Sequence, residues 1–333
     1  KLVFRNIKFD SKRQLKSAVP YLVFRCETRS PRWTEMAREV KLGKKGKVPN
    51  GLTACAVDLG IRNLGFATIA TVDEGMPVIA RSRNLWIGHE ELEGHHKGRW
   101  QDGPSLFRLA KNKRKMARLR RLRGKPVKGE FSHKDYQDHI THLGEDRFKK
   151  GARKIINFAL NTNRDKNKKG KVYPRADVLL IESLEGLIPD AEKARGINRA
   201  LVNFNRGHLV EHIKHMADDA GLRYVEVFPI GTSQVCSRCG TLGRRYSIRK
   251  EEGAPKIHFG FVEKLFACPH CDYKSNSDHN ASVNLHRRFV IRDAAVKSWT
   301  DYQALKTKEK KREVIAGIEE ELEPRLRKIH SLD

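Results

Sequence analysis

The chain has 333 residues, of which 68 are Lys or Arg and 40 are Asp or Glu, so its formal net charge is +28. A charge of this size favours a polyanionic partner, with nucleic acid first and an anionic membrane second. No apolar run is long enough to cross a bilayer and no signal-peptide pattern is present, so we expect a soluble, intracellular protein with a substantial core.

The first third of the chain predicts strands and then one basic helix. Residues 1–50 contain strand-like segments and end in KLGKKGKVPNG, which is typical of a domain boundary. Three further strands, LTACAVDLG, LGFATIAT and PVIARSRNLW, are separated by short turns, which indicates an antiparallel meander. The pattern then changes to a helix over 105–123. Eleven Lys or Arg and no acid lie between Arg108 and Lys128, so most faces of this helix are cationic.

The rest of the chain alternates helices and strands. A helical stretch, GEDRFKKGARKIINFALN, is followed by the polar loop TNRDKNKKGKVYPR. Next come a buried strand, DVLLIE, a long helix in NRALVNFNRGHLVEHIKHMADDAG, and a strand in LRYVEVF. A helix is predicted to begin near Asp278, and the C-terminal segment KTKEKKREVIAGIEEELEPRLRK predicts a mixed-charge surface helix.

Four of the six cysteines form two CxxC pairs with 28 residues between the pairs. This spacing is typical of a zinc ribbon, in which two knuckles present four thiolates to one ion. Two disulfides are the alternative, which the absence of a signal peptide disfavours. Four thiolates leave no open coordination position, so we expect one structural Zn²⁺ held by Cys236, Cys239, Cys268 and Cys271.

Three acids occupy unusual positions in predicted elements. Asp58 interrupts an apolar run, Glu182 ends the run VLLIE, and Asp278 begins a helix directly after the ribbon. Each has an ordinary explanation when taken alone, as a turn residue, a capping residue or a first-turn helix acid. Taken together, they can converge because adjacent strands lie only about 5 Å apart. Three close carboxylates need a cation, and two Mg²⁺ or Mn²⁺ ions would support phosphodiester hydrolysis.

The motifs around these residues resemble those of a known family. Three segments resemble the RuvC motifs, in order AVDLGIRNLGFATIA, LLIESLEGL and CPHCDYKSNSDHNASVNL. The signature that leads into the ribbon in TnpB transposon nucleases and type V CRISPR effectors is similar to PIGTSQVCSRCG. Together the motifs cover about 50 to 285.

The resemblance implies an α/β fold, an RNase H-like (RuvC) mixed sheet of five strands flanked by helices, with an inserted four-cysteine ribbon. It implies an RNA-guided, metal-dependent endonuclease of prokaryotic antiviral defence, located in the cytoplasm. The three catalytic, Mg²⁺-binding acids carry over to Asp58, Glu182 and Asp278. The partners implied are a guide RNA (crRNA, alone or with a tracrRNA) and target DNA, with one effector chain per guide and no membrane.

The basic helix is placed and charged like the bridge helix of type V effectors. Its cations suit phosphates on several sides of a guide or heteroduplex better than base edges in one groove. A solvated surface helix is the alternative reading of such a charge run. The residues predicted to contact nucleic-acid backbone are Lys111, Lys113, Arg114, Lys115, Arg118, Arg120, Arg121 and Arg123.

The predicted organisation follows from these motifs. We expect a C-terminal nuclease portion of a longer effector, whose first 50 residues are the remnant of an upstream wedge-like domain. The expected divisions are 1–50, RuvC part I at 51–90, a helical insertion at 91–175 with the bridge helix at 105–123, RuvC part II at 176–232, the ribbon at 233–274, and RuvC part III with a C-terminal helix at 275–333.

Two auxiliary residues and two other functions stay open. Asn280 can orient a phosphate or water or be a simple first-turn helix residue, and Arg238 can approach the scissile phosphate or be solvated. A guide-directed DNA-binding effector, whose RuvC site processes guide precursor or cuts target poorly, is the main alternative function. A structure-selective resolvase comes last, because it would need neither a four-cysteine ribbon nor so cationic a helix.

Overall fold

The computed structural model describes residues 2–9, 15–22, 48–60, 64–85, 134–183, 206–251, 254–260 and 263–330. The predicted bridge helix at 105–123, with all eight of its proposed backbone-binding cations, lies outside these ranges. The long helix predicted in NRALVNFNRGHLVEHIKHMADDAG begins before Arg206, and that first part also lies outside the described ranges. No helix in the described ranges is long and apolar enough to cross a membrane.

A five-stranded mixed sheet forms the centre of the structure. Its strands run in the order β5-β4-β3-β6-β7. The three strands of the predicted meander pair antiparallel, and two later strands extend the sheet parallel to β3. The bounds are β3 (Thr53–Leu59), β4 (Gly65–Asp73), β5 (Met76–Leu85), β6 (Val178–Glu182) and β7 (Arg223–Val227). They follow a separate antiparallel pair, β1 (Leu2–Phe9) and β2 (Leu15–Leu22).

Helices cover both faces of the sheet. On one face α1 (Lys134–Leu160) and α2 (Arg206–Asp219) form a core with side chains such as Val57 and Ile181. On the other face α3 (Ser277–Ile291) contributes Leu285 to a second core. Burial from both sides explains why β3 and β6 are almost continuously apolar.

The ribbon forms a second sheet between β7 and α3, with the strand order β11-β10-β8-β9. Its strands are β8 (Arg244–Glu251), β9 (Ala254–Phe259), β10 (Leu265–Ala267) and β11 (Lys274–Asn276). The last of them leads directly into α3, so the ribbon fixes where that helix begins.

The C-terminal segment forms α4 (Lys297–Gln303) and α5 (Lys308–His330). Sequence analysis predicted a mixed-charge surface helix here, and that description is incomplete. Leu322 and Leu326 are buried against Tyr246 of β8, because the ribbon sheet has an apolar face that its short strands cannot cover alone. The helix α5 is therefore part of the core of the ribbon.

Candidate active site and metal centre

Asp58 and Glu182 are brought side by side by the parallel pairing of β3 with β6. The last paired residues of these strands are Val57 and Ile181, and the two acids stand at the next position of each strand. Neighbouring strands lie about 4.8 Å apart, so the two acids come from adjacent backbone positions. The pairing thus gives two carboxylates at one end of the sheet.

Both acids belong to the face of the sheet that α3 covers. Side chains alternate between faces along a strand, so Asp58 shares a face with Ala54 and Ala56. Glu182 shares a face with Val178 and Leu180 by the same alternation. These four apolar residues form one core with Leu285 of α3. Asp58 is half-buried, and Glu182 is only 9% exposed.

The helix α3 starts with the third predicted acid. Asn276 caps the helix, and its side-chain oxygen accepts a hydrogen bond from the backbone N–H of Asp278 at 2.8 Å. The carboxylate of Asp278 also lies 3.7 Å from the Lys264 ammonium. An acid in the first turn interacts favourably with the helix dipole, so Asp278 suits its position at this helix end.

Arg245 lies near two of the predicted acids, which sequence analysis did not anticipate. Burial lowers the pKa of its guanidinium, and the charges of Asp278 and Asp58 oppose that effect. Its Nε donates a 2.6 Å hydrogen bond to the Glu263 carbonyl, which fixes the side chain. One cation of β8 therefore lies in the field of two of the predicted acids. Nothing in GRRYSIRK distinguishes Arg245 from the other arginines, because only the pairing of ribbon with α3 aims it at the acids.

The two proposed auxiliary residues have different surroundings. Asn280 is fully buried, and its amide accepts from the Ser237 N–H at 2.9 Å and donates to the Val235 carbonyl at 2.8 Å. Both ends of this amide are committed to the backbone of the ribbon loop, so Asn280 holds the ribbon against α3. Arg238 is exposed in the first knuckle.

The four ribbon cysteines converge on one point. Their ligand atoms all lie within 4.8 Å of one another. The Cys236 and Cys271 sulfurs are 3.6 Å apart, and those of Cys239 and Cys268 are 3.5 Å apart. Zn–S bonds of about 2.3 Å in a tetrahedron require sulfurs about 3.8 Å apart, so the arrangement fits one tetrahedral metal ion.

Cys236 is held as a metal ligand would be. A hydrogen bond with the Cys268 thiol, helped by backbone N–H groups, lowers the pKa of Cys236, and the same pairing together with burial raises the pKa of Cys268. One of those N–H groups is that of Arg238, 3.4 Å from the Cys236 sulfur. A backbone N–H directed at the sulfur stabilises the thiolate, which is the form that binds metal.

Hydrogen bonds connect the first knuckle of the four-cysteine cluster to α3. Arg287 donates a 2.8 Å hydrogen bond to the Cys236 carbonyl, and Asn284 donates at 2.7 Å to the Val235 carbonyl. The same helix begins with Asp278. The first knuckle and the helix that carries the third acid are thus held together by hydrogen bonds.

Comparison with known proteins gives the same combination of parts. The family model of the Cas12f1-like TNB domain matches residues 207–285. A TnpB-like protein of Aquifex aeolicus is 29% identical over 147 residues, which cover 44% of this chain and 42% of that protein. The CRISPR-associated endodeoxyribonuclease Cas12f1 of Sulfoacidibacillus thermotolerans is 30% identical over 88 residues, which cover 26% of this chain and 18% of that protein. The matched regions span less than half of either relative.

Two solved structures share the fold. The ternary complex of AacC2c1 with sgRNA and extended non-target DNA superposes with a TM-score of 0.57 at 13% identity, over 79% of this chain and 42% of that chain. Alicyclobacillus acidoterrestris C2c1 with single-guide RNA gives a TM-score of 0.53 at 16% identity, over 72% of this chain and 39% of that chain. The predicted mixed α/β fold with its four-cysteine cluster is thereby confirmed.

Proposed function

We propose that this chain, which is similar over part of its length to type V CRISPR effectors and TnpB-like nucleases, is the nuclease portion of an RNA-guided effector. In this proposal an RNase H-like (RuvC) fold cuts phosphodiester bonds of target DNA with two divalent metal ions. The chain spans under half the length of the relatives it matches, so guide and target recognition by the whole protein are part of this proposal.

One observation carries the proposal. The parallel register of β3 and β6 sets Asp58 beside Glu182, on the sheet face where α3 begins with Asp278. Three carboxylates on one face would repel one another without a compensating cation. Arg245 and Lys264 supply part of that compensation. A set of carboxylate ligands is typical of sites that bind hard divalent cations.

The residues have distinct roles in the proposed reaction. Asp58, Glu182 and Asp278 would hold Mg²⁺ or Mn²⁺, which when bound activates water and stabilises the leaving 3′-oxygen. Asp58 and Glu182 stand on the rigid sheet, whereas Asp278 stands on a helix positioned by the ribbon. Arg245 attracts the scissile phosphate and reduces its repulsion from the acids.

The ribbon acts as a structural element in this proposal. A zinc ion held by Cys236, Cys239, Cys268 and Cys271 has no open coordination position. Its contribution is to fold the ribbon, which delivers Arg245 from β8 and fixes the start of α3. The two metal centres therefore have separate functions, one structural and one catalytic.

The partners proposed are guide RNA and target DNA. Two structures of the same fold, both of C2c1, were solved as complexes with a single guide RNA, one of them with DNA as well. The net charge of +28 fits such partners, because each phosphate contact releases counterions. We propose one effector chain per guide, with the basic stretch at 105–123 as its bridge helix.

The test uses the full-length protein and its guide. Labelled target DNA and labelled guide precursor are incubated with it in Mg²⁺ or in EDTA. Mg²⁺-dependent cutting of target DNA is expected, and loss of all cutting in EDTA. Cutting of the precursor alone would instead establish the alternative function, and cutting that persists in EDTA would contradict a metal-dependent site.

A further inference from the structure

A basic hairpin follows α1 on the surface of the sheet. We define it as residues 164–175, which form a narrow loop closed by a bridge between Lys166 and Val172. Six of its side chains are exposed cations, and its single acid is Asp165. The six are Arg164, Lys166, Lys168, Lys169, Lys171 and Arg175.

Among the described residues, ion pairs do not compensate the positive charge of the basic hairpin. Asp165 forms an ion pair with Arg81 of β5, so its negative charge is balanced there and not by the exposed cations of the hairpin. Within the described part of the chain, none of the six exposed cations forms an ion pair. Close like charges repel, so a conformation that gathers six of them is unfavourable unless a polyanion is present.

The base of the hairpin is fixed by a buried network. Asn161, only 5% exposed, accepts hydrogen bonds from the Asp165 N–H at 2.9 Å and from Arg81 at 3.1 Å, and donates to the Tyr173 carbonyl at 3.0 Å. The Arg81 guanidinium lies 4.6 Å from the Phe158 ring centre and 4.9 Å from that of Tyr173. The hairpin is therefore tied to both α1 and β5.

The tip of the hairpin is fixed as well. The side-chain oxygen of Asn167 accepts hydrogen bonds from the N–H groups of Lys169 and Lys171, both at 3.0 Å. Gly170 adopts φ 75°, a conformation that glycine takes without strain, and donates to the Asn167 carbonyl at 2.9 Å. The lysines are therefore presented by an ordered backbone, so binding would cost little loop entropy.

The base of the hairpin is tied to Arg81 of β5, which is level with Ile69 of β4 and Cys55 of β3. The hairpin leads into β6 at Val178, whereas Glu182 ends that strand. Five residues of strand span about 17 Å, so the end of the hairpin that enters β6 and Glu182 lie at opposite ends of that strand.

We propose that the basic hairpin binds the phosphate backbone of the guide RNA. This inference rests on the proposed function and adds a contact surface to it. Lysine and arginine side chains on a narrow loop grip phosphates without reading bases, so the interaction is independent of guide sequence. A backbone segment of duplex DNA offers the same chemistry and is distinguished by the experiment below.

The experiment compares three full-length variants with wild type. The first, Lys166→Gln/Lys168→Gln/Lys169→Gln/Lys171→Gln, removes four charges from the hairpin. The matched control, Lys306→Gln/Lys308→Gln/Lys310→Gln/Arg312→Gln, removes four exposed charges at the start of α5. The third, Asn167→Ala, loosens the tip without changing charge. Binding to a structured RNA hairpin and to a DNA duplex of equal length is measured from low to high salt.

The hairpin variant should bind the RNA about 10-fold more weakly or worse near physiological salt. Its salt slope should fall by about 0.7 to 0.9 for each phosphate that the variant no longer neutralises, while the control changes less. Asn167→Ala should weaken binding with the slope nearly kept. Equal losses in hairpin and control variants would overturn the inference, and a loss confined to DNA would overturn the guide assignment. Wild type that binds neither nucleic acid would overturn the proposed function itself.

Discussion

Asp58 occupies a place where the backbone is unusually crowded. Gly65 of β4 stands opposite Leu59, and a Cβ added at Gly65 would lie 2.4 Å from the Asp58 carbonyl oxygen. Only glycine fits such an approach. The two strands are therefore drawn tightly together at the point where the acid leaves the core.

Replacing Asp58, Glu182 or Asp278 with Ala should lower metal-dependent cleavage by several orders of magnitude. Each change would remove a carboxylate on which the proposed metal ions depend. Nucleic-acid affinity in EDTA should stay close to wild type. Asp73→Ala, an exposed acid that ends β4, serves as the control and should cut normally. Near-normal cleavage by Asp58→Ala would contradict the assignment.

Arg245→Ala should lower the cleavage rate at saturating substrate by roughly 100-fold, the usual loss for one charge-stabilising donor. The affinity for uncut DNA should change much less. Arg249→Ala removes a more exposed arginine from the same strand and provides the control. If both variants cut equally well in single-turnover assays, Arg245 has no role at the acids.

His286 makes stability depend on pH. Its ring is fully buried, with Nε2 3.1 Å from the Thr68 carbonyl oxygen, and burial lowers its pKa from 6.5 to about 4. Between these values the unfolded chain binds a proton that the folded chain does not. Acid therefore favours unfolding across this window, and the stabilisation is fully present only above about pH 6.5.

The matching test measures unfolding free energy from pH 7 to pH 4. Wild type should lose on the order of 3 kcal/mol more than His286→Gln over this range, since glutamine cannot take up the proton. Parallel curves for the two proteins would show that His286 does not titrate in this way.

At the scale of elements, the ribbon is too small to fold on its own apolar residues. Its four strands contain only 3 to 8 residues each, and α5 covers one side of them. A thiolate-bound zinc ion contributes on the order of 10 kcal/mol to folding in small zinc peptides. Zinc and α5 thus supply what the ribbon core lacks.

Purified wild-type protein should contain one zinc per chain. Cys239→Ser should lower the zinc content and the melting temperature, because it removes one of the four ligands. Cys55→Ala changes a buried core cysteine away from the cluster and should keep its zinc. Less than about half an equivalent of zinc in folded wild-type protein would contradict the prediction.

At the scale of the whole molecule, we expect the positive charge to govern nucleic-acid binding. The formal net charge is +28, and eleven Lys or Arg with no acid lie between Arg108 and Lys128, in and just after the predicted bridge helix. Neutralising Lys113, Arg114, Arg118 and Arg121 to Gln should weaken guide or target binding. The salt slope should fall by about 0.7 to 0.9 for each phosphate that the helix no longer neutralises, whatever the sequence bound.

The quadruple variant at the start of α5 is the control for this change, since it removes the same number of charges elsewhere. Sequence preference should stay as in wild type, because the helix is predicted to contact backbone alone. Unchanged affinity and slope would show that the stretch at 105–123 faces solvent.

The sequence by itself determined the local features of this protein. Alternation and apolar runs predicted the meander and the strands around Glu182 and Val227, since side-chain periodicity depends on neighbouring residues alone. The paired CxxC spacing predicted the four-cysteine cluster for a similar reason, because a knuckle of four residues presents both thiolates. The three acids could be chosen from the sequence as candidate metal ligands, but no local pattern shows which residues lie near them in the fold.

Tertiary structure decided which residues meet. The register of β3 against β6 set Asp58 beside Glu182, and the hydrogen bonds of Asn280 assigned that side chain to holding the ribbon. Arg245 lies in the field of Asp58 and Asp278 because the ribbon packs against α3, and nothing in the sequence separates it from the neighbouring arginines. These outcomes depend on contacts between residues distant in the chain, whose free energies arise only when the sheet, the helix and the ribbon pack together.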